Sequence, residues 1–355
     1  MTIQKLSTST IDVSSLTSDD DGKRVAVDAN NALALIASDS PFFDLPKFTY
    51  TGSVAGYTTG GRYPTNSNVI DKYPFSSDTN ASDVGDLTIA ENYYCGQSSL
   101  TDGYATGGLN NPSQATQKFP FSSDTNATAG AFDLSVLRYG GAGCSSSTHG
   151  YDAGGTVNPG QPVPAAASNI IDKFPFSADS PATDVGDLTY TIADGSSAGY
   201  SFDGTAYVAG GAPATDVINR WSTVSDENAT DVGELSGGTI NGGSAASSGT
   251  HGYHSGGDLS PPGVNTDRIE KFAFANESDN TDVGELTIAR SFIGGGTSST
   301  TAGYVNGGRR RTPSLAYADI DKFPFSSDSS ATDIGNLTQA RFEIASNQSG
   351  ITPIA

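Results

Sequence analysis

The sequence is poor in cationic side chains and has no long apolar run. It carries 18 Lys and Arg against 39 Asp and Glu, which gives the 355 residues a formal net charge of −21. Because binding to phosphates depends on Lys and Arg, this acidic protein is not expected to bind nucleic acid or an anionic membrane surface. A membrane-spanning helix needs about 18 or more apolar residues, and none occur in a row. The first residues also lack the pattern of a signal peptide.

Cysteine is scarce as well, since Cys95 and Cys144 are the only two. Two cysteines cannot build a disulfide framework, and a single bridge needs Cα atoms within about 7 Å. The two residues lie at related places in consecutive repeats, where strands are usually farther apart. We therefore expect two free thiols.

Glycine, by contrast, is abundant, with 43 residues, and this composition favours short strands and tight turns. A six-residue phrase, Ile-Asp-Lys-Phe-Pro-Phe, is clearest at Ile320 to Phe325. Six variants of it begin at Ile70, Thr116, Ile171, Ile218, Ile269 and Ile320. A unit repeated in this way encodes architecture, so a unique function is expected where the copies differ.

Two further elements accompany the phrase in each unit. A Gly-Tyr-x-x-Gly-Gly element precedes it, with tyrosines at 57, 104, 151, 207, 253 and 304, and a segment like Asp282 to Arg290 follows it. We predict four short strands per unit, with adjacent strands antiparallel because Asp203-Gly204 has the sequence of a type I′ hairpin turn. The stretch from Arg341 to Ser349 has the character of a first strand, and it is predicted to complete the first unit.

This order of elements resembles the kelch repeat, over roughly Phe48 to Ser349. The resemblance implies an all-β fold, a six-bladed kelch-like β-propeller with four-stranded antiparallel blades. The ring would be closed by the C-terminal strand, which removes a free sheet edge. We place this domain at residues 46–355.

Residues 1–45 stand outside the repeat. Arg24 to Ile36 alternates around Asn30-Asn31 and predicts a small hairpin. A two-stranded hairpin is marginally stable alone, so this short N-terminal extension is interpreted as an anchoring segment that gains order by docking on the main body or on another chain. Pro41 to Pro46 would be the linker.

A basic residue recurs in every phrase, and two interpretations of it remain. These residues are Lys72, Lys118, Lys173, Arg220, Lys271 and Lys322. They are expected to form structural ion pairs with the carboxylates of the nearby Gly-Asp/Glu-Leu turns, because a half-buried ammonium is tolerated only when paired. Those carboxylates are Asp86, Asp187, Glu234 and Glu285. The alternative is a ring of cations that binds a ligand.

The loops after Gly-Gly differ between units, and loops on a rigid scaffold are where recognition tends to reside. Arg309 to Arg311 is the only basic run of this acidic protein and could meet an acidic partner, with a solvated turn as the alternative. The candidate ligand-binding residues of these loops are Arg62, Tyr63, Asn110, Asn111, Arg309, Arg310, Arg311 and Tyr317.

The sequence contains few patterns that indicate catalysis or metal binding. No cluster of His, Cys and carboxylates with metal-ligand spacing appears, nor a nucleophile elbow or phosphate-binding loop. The oxygen-rich loops such as Ser76 to Asp83 leave Ca²⁺ as an alternative, although they lack the ligand spacing of an EF-hand and suit Asx turns better. We expect neither an enzyme nor a cofactor.

The layout as a whole resembles structural proteins of tailed bacteriophages, on the phrase Val27 to Leu33 and the near-identical Asp-Lys-Phe-Pro-Phe-Ser-Ser-Asp repeats. The resemblance implies a virion protein, a tail-fibre-like appendage or capsid decoration, that joins other virion proteins through residues 1–45. Its propeller would be displayed for host attachment, to a surface glycan or protein. The alternative is a secreted, extracellular kelch-like carbohydrate-active enzyme or lectin. Homo-oligomerisation stays open in both cases.

Overall fold

The computed structural model describes residues 24–27, 33–36, 50–109, 116–130, 133–157, 166–193, 198–213, 215–238, 240–260, 263–277 and 280–351. These residues form strands, bridges and turns, and none is helical. The all-β prediction is therefore confirmed. Within the same residues no helix has the length and apolar character that crossing a membrane requires.

The chain forms two compact units, Met1–Pro46 with Ala355, and Lys47–Ile354. In the first unit, Arg24–Val27 pairs antiparallel with Leu33–Ile36, with Val27 opposite Leu33. This is the predicted hairpin.

The second unit contains six antiparallel sheets, each with a core of four strands in one order. Sheet 1 consists of Ala345–Ser349, Ala55–Thr59, Val69–Pro74 and Ser82–Asp86; sheet 2 of Tyr94–Ser98, Asp102–Gly107, Gln117–Pro120 and Thr128–Ala129; sheet 3 of Ala142–Ser145, His149–Ala153, Ala166–Pro175 and Thr183–Ile192. Sheet 4 consists of Ala198–Phe202, Thr205–Ala209, Val217–Ser222 and Thr230–Glu234; sheet 5 of Ser244–Ser247, His251–Ser255, Arg268–Ala273 and Thr281–Glu285; sheet 6 of Gly296–Ser298, Ala302–Asn306, Asp319–Pro324 and Thr332–Asn336. We call these the first to fourth strands of each sheet. Short accessory strands pair Arg138–Tyr139 with Thr156–Val157, Asp258–Leu259 with both Ile240–Asn241 and Val264–Asn265, and Arg309–Arg310 with Leu315–Ala316.

The C-terminal strand belongs to the first sheet. Ala345–Ser349 runs antiparallel to Ala55–Thr59, with Asn347 opposite Tyr57. The prediction that the last strand completes the first unit is confirmed. The type I′ turn is confirmed too, because Asp203 and Gly204 both have positive φ, 38° and 76°, which is the backbone that this turn requires.

The repeated glycine of the second strand makes room for the phrase's first aromatic ring. A Cβ at Gly103 would overlap the ring of Phe119 on the third strand, and a Cβ at Gly303 would overlap Phe323. Because the side chain and the empty position face each other in every such pair, the register of second and third strands is fixed sterically.

Aromatic contacts join each sheet to the following one. The tyrosine of a second strand packs against the last phenylalanine of the next sheet's phrase, and the ring centroids lie 4.8 to 5.1 Å apart. The pairs are Tyr57–Phe121, Tyr104–Phe176, Tyr207–Phe274, Tyr253–Phe325 and Tyr304–Phe75. Between sheets 3 and 4 the phrase ends instead in Thr223, which has no ring, and Tyr151 donates a hydrogen bond to its carbonyl oxygen at 3.0 Å.

The first strands of neighbouring sheets lie close together. A Cβ at Gly96 or Gly143 would overlap the backbone of the adjacent first strand. Serine side chains link these strands, as where Ser98 N donates to Ser145 Oγ at 3.1 Å. Tyr50 lies at the C-terminal ends of the first strands of sheets 2 and 3, and its hydroxyl donates to Ser145 Oγ at 2.7 Å. Tyr50, the first residue of the second unit that the structure describes, therefore lies beside the turns that follow these first strands.

Three buried ion pairs connect the end of one repeat with the phrase of the next sheet. Each joins an arginine to the aspartate of a phrase, and all six side chains are at most 2% exposed. The pairs are Arg341–Asp71 at 2.8 Å, Arg138–Asp172 at 2.9 Å and Arg290–Asp321 at 2.6 Å. Where the aligned position carries Glu91 or Ile192 instead of Arg, the aspartate is replaced by Gln117 or Asn219. The presence of aspartate thus follows the presence of arginine.

Candidate functional site

The recurring basic residues do form ion pairs, but their partners differ from the predicted ones. Each cation reaches a carboxylate in the loop after the phrase of the following sheet, not the predicted Asp86, Asp187, Glu234 and Glu285 of its own repeat. The pairs are Lys72–Asp124 at 2.7 Å, Lys118–Asp179 at 3.1 Å, Lys173–Asp226 at 2.8 Å, Arg220–Glu277 at 3.0 Å, Lys322–Asp78 at 2.8 Å, and Lys271–Asp328.

The physical reason is that the loop after each phrase reaches back to the preceding sheet. The Asn126 side chain of sheet 2, for example, accepts a hydrogen bond from Asp86 N of sheet 1 at 3.0 Å. The same loop places Asp124 beside Lys72. Because the aspartates are more than half exposed, such a pair contributes about 0.2–1 kcal/mol.

The same loops were the basis of the calcium alternative. Within the described part of the chain, no group of three or more His, Cys, Asp or Glu side chains is placed to hold a metal ion. Asp78 binds the Lys322 ammonium, and Asn80 accepts a hydrogen bond from Asn336 N at 3.0 Å. These two polar side chains of the loop are thus engaged by sheet 6.

The variable loops of sheets 1 and 6 come together at the strand ends that lie away from Tyr50, where the first strands begin. Arg62 follows the second strand of sheet 1, and its backbone pairs with that of Phe342. Arg309 occupies the same place in sheet 6, where it pairs with Ser291. The segments before the first strands of sheets 1 and 6 therefore lie directly against these two arginines.

Three of the arginines pack on two phenylalanine rings. The guanidinium carbon of Arg309 lies 4.0 Å from the Phe292 centroid and 4.8 Å from the Phe342 centroid. Arg62 lies 5.2 Å from the Phe342 centroid and Arg311 lies 5.6 Å from that of Phe292. Such cation–π contacts orient the planar guanidinium groups. We call the set Arg62, Tyr63, Phe292, Arg309, Arg310, Arg311 and Phe342 the arginine–aromatic patch.

The charges of the patch are only partly neutralised. Arg62 Nε lies 2.8 Å from a carboxylate oxygen of the fully buried Glu343, and Arg311 Nε lies 3.5 Å from Asp258. Neither Arg309 nor Arg310 forms an ion pair with a carboxylate of the described residues. The patch therefore presents guanidinium donors that an anionic group can bind.

The remaining predicted site residues have different positions. Tyr63 is 42% exposed, and its ring centroid lies 6.4 Å from that of Phe342. Tyr317 is partly buried, and its backbone N–H donates to Gly308 O at 2.8 Å. Asn110 and Asn111 lie outside the described residues.

Sequence reasoning missed the two phenylalanines and Glu343. All three precede first strands, and Phe292 and Glu343 have positive φ values of 51° and 56°, a conformation that is uncommon for such residues. A signal was present, because an aromatic residue stands one or two positions after Arg290 and Arg341, as Tyr139 does after Arg138.

Neither a protein-family model nor a curated protein sequence matches the chain.

Proposed function

We propose that the six sheets form a closed, six-bladed, kelch-like β-propeller. The contacts between sheets support a cyclic order, since the links from each sheet to the next also join sheet 6 to sheet 1. Tyr304 stacks on Phe75 with centroids 4.9 Å apart, and Lys322 pairs with Asp78 at 2.8 Å. The C-terminal strand in sheet 1 would then complete the ring.

We further propose that the protein is a non-enzymatic structural component of a tailed-phage virion. In this proposal residues 1–45 attach to the particle and the arginine–aromatic patch contacts the host surface. The observation that carries it is the placement of two features at opposite strand ends. Tyr50, the first described residue of the second unit, lies beside the ends of the first strands at Ser98 and Ser145, whereas Phe292 and Phe342 precede first strands.

The chemistry of the patch favours an acidic host-surface glycan as its partner. Guanidinium groups bind carboxylates through paired, charge-assisted hydrogen bonds, and Arg309 has no such partner among the described carboxylates. The exposed ring of Tyr63 offers an apolar face beside it. An anionic sugar residue would satisfy both groups at once.

Replacing Arg309 by Gln is expected to weaken binding to uronic-acid-containing glycans about tenfold or more, because a hydrogen bond to a charged group is worth about 1.5–3 kcal/mol. Binding to a glycan array, followed by titration of the strongest acidic ligand at low and high salt, measures this. The matched control is Lys271→Gln, which removes a cation at the opposite end of the strands. Equal losses in both variants, or binding that ignores salt, would contradict the patch as the site.

Deleting residues 1–45 is expected to leave the second unit folded and to abolish its incorporation into particles. The reason is that Lys47–Ile354 forms a compact unit by itself. Thermal unfolding of the truncated protein tests the first part, and its abundance in purified virions tests the second. If the truncated protein still assembles, or if no particle contains the full chain, the virion proposal fails and the secreted lectin or enzyme becomes the better explanation.

A further inference from the structure

The break in the aromatic repeat between sheets 3 and 4 opens a cleft of about 310 Å³. At five of the six junctions a phenylalanine of the phrase packs on the preceding sheet's tyrosine, for example Phe176 on Tyr104 at 4.9 Å. Thr223 takes that place in sheet 4 and lines the cleft. The volume is at the lower end of the range that small-molecule sites occupy.

A second departure from the repeat shapes the same cleft. In sheets 2, 3, 5 and 6 a serine anchors the turn after the first strand, as Ser146 does by accepting hydrogen bonds from Thr148 N and His149 N. Sheet 4 has instead the two-residue turn Asp203-Gly204, and Phe202 stands at the serine position. Phe202 stacks on Phe274 with centroids 4.5 Å apart. The cleft thus lies where two departures from the repeat, Thr223 and Phe202, occur together in sheet 4.

The lining is rich in hydroxyl groups and nearly neutral. It includes Ser147, Thr148 and Thr205, together with the exposed Val224. The ammonium of Lys173 is paired with Asp226 at 2.8 Å, and the Asp203 carboxylate adds a negative charge. An anionic ligand would therefore find no unpaired cation in this cleft.

His149 supplies a ring nitrogen that can accept or donate. Its Nδ1 lies 2.8 Å from Thr148 Oγ1, which leaves Nε2 for a ligand. Burial, followed by the nearby Lys173 charge, lowers the pKa of His149 below its ordinary value. The ring is therefore neutral at pH 7 and adds no charge to the site.

We propose that this cleft binds one uncharged pyranose residue of a glycan. Sugar hydroxyls both donate and accept hydrogen bonds, which matches a lining of hydroxyls, imidazole and carboxylate, and the apolar face of the ring fits against Val224. The cleft lies at the Tyr50 end of the strands, away from the arginine–aromatic patch. It is therefore a separate site from the one proposed above and does not depend on it.

The test is saturation-transfer NMR of the full chain with a panel of neutral methyl pyranosides, including an N-acetylhexosaminide. At least one should bind, with an affinity that does not change with salt. Thr223→Phe restores the repeat's ring and should weaken binding at least tenfold, whereas Lys271→Gln, at a junction that keeps its Tyr253–Phe325 contact, should leave it unchanged.

A second variant keeps the test valid if Thr223→Phe does not fold. His149→Ala places in sheet 3 the residue that Ala55 and Ala302 supply at the aligned position, so it suits the fold, and it should weaken binding severalfold. If no pyranoside binds the unaltered chain, or if a folded Thr223→Phe and His149→Ala both bind as it does, the proposal is overturned.

Discussion

Replacing Asp71 by Asn is expected to destabilise the second unit by about 3 kcal/mol or more. The carboxylate of Asp71 lies 2.8 Å from Arg341 and also accepts a hydrogen bond from Thr338 N at 3.1 Å. An amide can keep the second contact but leaves the guanidinium buried without a counter-charge, and breaking a buried pair in this way costs about 3–5 kcal/mol. Chemical denaturation of the variant and the unaltered chain measures the difference.

The protein itself contains the compensating change. In sheet 4 the aligned aspartate is Asn219, whose side chain accepts from Thr189 N at 2.9 Å, and the aligned arginine is Ile192. Tyr190 then donates to Gly210 O at 2.8 Å, as Arg290 does to Gly307 O in sheet 6 at 3.0 Å. One neutral set of side chains thus replaces an ion pair at an equivalent position.

The triple replacement Asp71→Asn, Gln339→Tyr and Arg341→Ile transfers that neutral set to sheet 1. It should recover most of the stability that Asp71→Asn loses, because no buried charge is left unpaired. A surface comparison is Lys72→Gln, whose ion pair is exposed and should cost less than about 1 kcal/mol. A triple variant as unstable as the single one would show that the charge is not the cause.

Lowering the pH from 7 to 4 is expected to remove about 3 kcal/mol of stability through His254 alone. Burial lowers the pKa of His254 to about 4 from an ordinary value near 6.5. Because the unfolded state then binds the proton more tightly, stability is full above pH 6.5, falls between pH 6.5 and pH 4, and changes no further below.

The geometry explains why the imidazolium is disfavoured. His254 is 1% exposed, and its Nδ1 lies 3.1 Å from the Tyr200 hydroxyl. Nε2 has no hydrogen-bond partner among the described groups and packs against Gly243. Glu270 lies opposite His254 in the strand pair, but burial raises the pKa of this carboxyl, with smaller opposing contributions from Ser236, Gly237 and Arg268.

His254→Gln isolates this contribution, since glutamine does not titrate and can still bond to Tyr200. Denaturation curves at pH 7, 5.5 and 4 should show a smaller loss for this variant than for the unaltered chain. His251→Asn is the control, because His251 lies partly exposed at the start of its strand; burial lowers the pKa of His251 too, so this variant should change the profile in the same direction but by less. Parallel pH profiles for His254→Gln and the unaltered chain would refute the assignment.

Periodicity in the sequence was sufficient to predict the strands but not the partners of the charged side chains. The strands, the Asp203-Gly204 turn and the free state of Cys95 and Cys144 followed from local pattern and composition. The partners of Lys72 and Lys322 did not, because identical repeats do not tell whether a side chain bonds within its own unit or across to the next. Only the three-dimensional stacking of sheets decides that.

The candidate site shows the same limit. The basic loops were recognisable because Arg309 to Arg311 stands out in an acidic chain. Their meeting with Arg62, 247 positions earlier by numbering, depends on sheets 6 and 1 being neighbours through Phe342. Thr223 was recognisable as an exception, but the cleft it leaves is visible only beside the residues of sheet 3 that line it.

The pairing of the last strand with the first sheet also sets an order for biosynthesis. Ala55–Thr59 is made early, yet its antiparallel neighbour Ala345–Ser349 leaves the ribosome almost 300 residues later. Until then sheet 1 keeps an unpaired edge, which can pair incorrectly with strands of other chains. The nascent protein therefore stays exposed to aggregation until Ala345–Ser349 has been made, and a chain that stops short of Ala345 cannot leave that state.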